Sequence, residues 1–134
     1  MSITFTAAEK ATLKTAAHGA VALMAYAGVA GSPGKTATAG SLALASATGP
    51  VGHVLAEKQT EKLDYTTGAA LADQVLPALT ESMGFLKKQD AAEADNFRGT
   101  VLTAVAAAAQ AGRGEPTPPV AEMTRKITEA LDAA

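Results

Sequence analysis

The chain has no cysteine and no tryptophan, and only 3 phenylalanines and 2 tyrosines among its 134 residues. Without thiols, disulfides, thiolate nucleophiles and Cys-ligated zinc are excluded. The β-branched and aromatic runs that mark strands are also missing, while alanine, the strongest helix former, is the commonest residue. Nor is there a basic block: 11 Lys and Arg stand scattered against 13 Asp and Glu, for a net charge of -2. A nucleic-acid binder concentrates cations on one face to neutralise phosphates, so no nucleic-acid partner is expected.

Charge itself is scarce in the first half. From Thr15 to Ala56 the only charged residue is Lys35, in a stretch of Ala, Gly, Thr and Ser with scattered Val, Leu and Met. Such text is apolar without being bulky, and suits helices packed backbone to backbone. The two uncharged windows flanking Lys35 are each about 20 residues, long enough for a membrane hairpin. Their small and hydroxylated residues, with His18, make them too polar for that, so a soluble core and no membrane partner are expected. Lys10 and Lys14 ahead of the apolar run Ala16 to Ala30 imitate a secretory signal, but Glu9 interrupts the positive region, and the expected location is cytoplasmic.

Periodicity predicts five or six helices in one domain covering residues 1–134. Thr6 and Glu9 form a capping box ahead of a first helix ending near Gly31, with apolar residues almost all round by Val21. A second stretch, 36–47, is weakened by Gly40, and a short helix restarts at Pro50 with Val51, Val54 and Leu55 inward. From Thr67 to Lys88 the stripe Leu71, Val75, Leu79, Met83 and Leu86 marks a longer helix, in which Pro77 predicts a kink. Asp90 and Glu93 suggest a second capping box before a helix ending at Gly112. Pro118 and Pro119 open a last one, with Val120, Met123, Ile127 and Leu131 inward and Glu122–Lys126 and Arg125–Glu129 as outer ion pairs. The expected fold class is all-α, a compact and mainly antiparallel bundle.

Chemistry is harder to find. Gly28 to Thr36 ends in Gly-Lys-Thr like a phosphate-binding loop, but the spacing between its glycines is one residue too long and no strand precedes it. His53 and Glu57 share a helix face at i, i+4, yet the Glu-x-x-His arrangement of a di-iron bundle does not occur, so no metal or other cofactor is expected. No Gly-x-Ser-x-Gly elbow exists and no acid is placed to orient either histidine, which argues against an enzyme without excluding a substrate-assisted reaction. His18, Met24, Tyr26 and Met83 are the candidate lining of a small apolar pocket between helices.

Residues 90–111, a loop, and Glu122 to Leu131 resemble the C-terminal half of small all-helical bacterial proteins with no assigned function. Phe5-Thr6 with Glu9, and Gly49-Pro50-Val51-Gly52, are similar to that group's first half. The resemblance implies a helical fold and supplies no catalytic residues. A more distant likeness to the helical tellurite-resistance B-type domains lacks their acidic metal-binding signature. The sequence therefore points to a non-catalytic bundle acting through self-association, as a homodimer, or through another protein. The alternative is a carrier or sensor of a small apolar ligand.

Overall fold

A computed structural model describes residues 4–27, 43–44, 47–57, 62–110 and 118–134. Among these the chain forms five helices and no strand: α1 (Ala7–Ala27), α2 (Gly49–Ala56), α3 (Gly68–Gln89), α4 (Ala91–Gln110) and α5 (Pro118–Asp132). Residues 43–44 are also helical, and Leu44 is buried. Ala47, the expected end of the 36–47 stretch, is not helical; the expected end of the first helix, residues 36–42 and 45–46, the Gly28 to Thr36 run and the stop at Gly112 lie outside the described residues.

α1 is the centre of the bundle. It touches each of the other four helices, most extensively α3. From Leu13 to Met24 its buried residues, Leu13, Lys14, Ala16, Ala17, Gly19, Ala20, Val21, Leu23 and Met24, take up more than half of its circumference, and Thr15, His18, Ala22 and Ala25 form the one half-buried stripe that is left. A helix with so wide a buried face needs neighbours on several sides. Its entry is closed by the expected capping box, the Thr6 N–H donating to Glu9 Oε1 at 2.9 Å and the Glu9 N–H to Thr6 Oγ1 at 3.1 Å. These two bonds satisfy donors that the first turn leaves without helical partners.

The direction of α3 against α1 follows from three contacts. Phe5, just before α1, meets Phe85 near the end of α3, edge to face with ring centroids 6.4 Å apart. Gly19 lies against Val75, and Tyr26 lies near Gly68 at the start of α3. The two helices are thus antiparallel. α5 runs alongside α3 in the same direction, since Thr80 Oγ1 donates to the Ala130 carbonyl and Lys87 Nζ to that of Ala134.

The stripe expected of α3 is buried throughout, at Leu71, Val75, Leu79, Met83 and Leu86. Thr67 caps the helix by accepting the Ala70 N–H at 2.9 Å. The helix continues through Pro77, and both Pro77 and Asp73, whose carbonyl the proline deprives of its helical donor, lie on the exposed side. On α4, Phe97, Val101, Ala104, Val105 and Ala108 turn inward, as do Val120, Ile127 and Leu131 on α5, with Met123 half-buried.

Two local expectations are corrected. Asp90 is the single residue between α3 and α4, and its N–H closes α3 on the Leu86 carbonyl at 2.7 Å. That donor is therefore not offered to Glu93. Asp90 caps α4 alone, accepting the Ala92 N–H at 2.9 Å, while Glu93 accepts from Asn96 Nδ2. On α5, Glu122 bonds Arg125 rather than forming the expected bond to Lys126, and Arg125 also holds Glu129.

The glycines divide by what surrounds them. Gly49, at the start of α2, has φ +78, and a side chain there would meet Glu93. Gly84, inside α3, has nothing within 4 Å of where a Cβ would stand. Replacing Gly49 with Ala should therefore cost roughly 1–2 kcal/mol. Gly84→Ala should instead stabilise by about 0.5–1 kcal/mol through helix propensity. Denaturant unfolding of both variants checks the contrast, and shifts of the same sign would contradict it.

Candidate functional site

The described polar chemistry gathers at two places. On α1, Lys10 and Lys14 are one turn apart, and the i, i+4 spacing brings both to Glu57, just past the end of α2. Lys10 Nζ is 3.6 Å and Lys14 Nζ 3.8 Å from the Glu57 carboxylate. Lys14 is 6% exposed overall. A nearly buried ammonium needs a carboxylate at hand, because losing hydration would otherwise cost several kcal/mol. Glu57 is thus engaged by lysines, while its sequence partner His53 is exposed. His18 continues the same α1 face one turn beyond Lys14 and is half-buried.

The second place is an open groove of about 400 Å³ between α4 and the segment before α2. It is lined by Ala43, Ala47, Thr48, Asp95, Asn96, Gly99, Thr100 and Thr103. Asn96 forms its near end: Nδ2 donates to the Thr48 carbonyl at 2.9 Å and to Glu93 Oε2 at 3.1 Å, tying α4 to the corner before α2. The lining offers one carboxylate, three hydroxyls and small apolar walls. It has no cation, histidine or aromatic ring. Such a surface offers hydrogen bonds and close approach, without a nucleophile paired to a base.

The four residues expected to line an apolar pocket stand as follows. Met24 and Met83 are buried, 1% and 2% exposed, and Thr124 Oγ1 lies 3.7 Å from Met24 Sδ. Tyr26 is at the surface, 38% exposed, stacked on Tyr65 with its hydroxyl donating to the Tyr65 carbonyl. None of the four lines the groove. Among the described residues, no group of three or more His, Asp or Glu could hold a metal ion. No described helix is long and apolar enough to cross a membrane.

The carboxylates with displaced pKa values sit in surface pairs or turns, away from both places. Arg98, on α4, hydrogen-bonds Asp132 at 2.9 Å and holds its carboxyl below the usual value, and Arg125 does the same to Glu122. Asp64 is lowered by the hydroxyl and the N–H of Thr66. These shifts have a sufficient structural cause and mark no acid–base site.

Glu57 and the groove were not legible as sites from the sequence alone. Glu57 suggested a partner for His53 because only local spacing was available. A signal for the groove was present: Asp95, Gly99 and Thr103 recur at i, i+4, i+8, on the side of α4 away from Phe97, Val101 and Ala104. The chain matches no protein-family profile, no characterised protein and no solved structure.

Two outcomes test this electrostatic description. Glu57→Gln, which strips the charge from a carboxylate beside Lys14, should lower stability by about 1 kcal/mol or more, whereas Lys14→Met should stay within about 1 kcal/mol of the parent. Equal losses in urea unfolding would contradict it. By NMR titration, Asp132 should ionise below the ordinary carboxylate range and return toward it in Arg98→Ala. Because the folded value is the lower one, that pair's stabilisation is complete above about pH 4 and lost as pH falls through the depressed value. An unchanged Asp132 titration in Arg98→Ala would refute the assignment.

Proposed function

We propose that the protein is a non-catalytic helical bundle that works by pairing with a second copy of itself across the exposed side of α4. The observation that carries this reading is Gly99. It stands in the middle of α4, exposed, with nothing within 4 Å of where its Cβ would be. A glycine inside a helix costs about 1 kcal/mol relative to alanine. Among the described residues no close contact requires it; Gly84 is equally open, but only Gly99 is exposed and heads a stretch without charge, where close approach by a second backbone would use the missing side chain.

The neighbouring positions support the same partner. After Asp95 the exposed positions of α4 are Gly99, Thr103, Ala106 and Gln110, and no charged residue follows Arg98 in this helix. Three turns of exposed helix without charge are suited to contact. A closed dimer uses the same patch twice. With the two-fold axis at Gly99 and the helices antiparallel, the uncharged half of each α4 lies against the charged first half of the other, so that no like charges face each other across it: the Asp95 carboxylate falls opposite the Thr103 hydroxyl, and Ala92 opposite Ala106. The groove beside α4 gives the partner helix room to approach.

Light scattering on a chromatographed sample at tens of micromolar should give twice the chain mass, and native mass spectrometry reports the same number together with any retained compound. Gly99→Gln should shift the protein to monomer while leaving its helix content and unfolding midpoint intact or raised. Because the chain has no cysteine, Gly99→Cys supplies a single thiol that should cross-link two copies on mild oxidation. A strictly monomeric parent protein would overturn the proposal. A dimer that neither Gly99 variant perturbs or captures would move the interface off α4.

A further inference from the structure

We draw no further inference here: the strongest candidate, the stacked Tyr26–Tyr65 pair on the surface where the end of α1 meets the 62–67 connection, is accounted for by the Tyr26 hydroxyl pinning that connection, and nothing in the structure shows what covers the rings.

Discussion

At Gly19 the backbone of α1 comes within side-chain distance of α3, and the rest of the bundle depends on that approach. A Cβ placed on Gly19 would lie 2.3 Å from Val75 Cγ2 and 3.0 Å from Val75 Cγ1, closer than carbon atoms pack. Only a residue without a side chain fits. The neighbouring turns of α1 carry Ala16, Ala17 and Ala20, all almost fully enclosed, so the helix surface stays shallow where the two backbones are nearest. Each alanine buries little area, but atoms held at contact distance on all sides gain dispersion energy that a loosely packed surface would forfeit. The larger side chains Leu13, Leu23 and Met24, on the turns to either side, are buried as fully.

This arrangement decides where charge can go. A central helix buried over most of its surface leaves little room for charge: α1 keeps Glu9 and Lys10 in its first two turns, carries Lys14 to Glu57 at the rim, and places His18 on its half-buried stripe. The remaining described ion pairs, Arg98–Asp132 and those of Arg125, lie on the outside of α4 and α5. Exposed pairs of this kind contribute little to stability. They keep the bundle's outer faces hydrated, and by contrast they single out the uncharged part of α4.

Much of the helix layout was legible in the sequence because local physics determines it. The α3 stripe, the Thr6–Glu9 box and the restart of the chain at Pro50 all follow from spacing and capping within a few residues. What was not legible depended mostly on partners distant in the chain. Glu93 faces Gly49 at the start of α2, far away in the sequence, whereas the partners of Asp90 are local and what the sequence hid there was that α3 ends and α4 begins around this one residue. Gly19 and Gly99 look alike as text, each a glycine in a helical stretch. Only the packing separates one pressed against Val75 from one open to solvent.

The most direct test is a double-mutant cycle in urea combining Gly19→Ala with Val75→Ala. If close helix contact is the governing constraint, Gly19→Ala should destabilise by about 1–3 kcal/mol in spite of its better helix propensity. Once Val75 is shortened, much of that penalty should vanish, giving a coupling of about 1 kcal/mol or more. A Gly19→Ala variant that is stabilised equally in both backgrounds would contradict the account, since it would mean that α1 and α3 do not meet at this point.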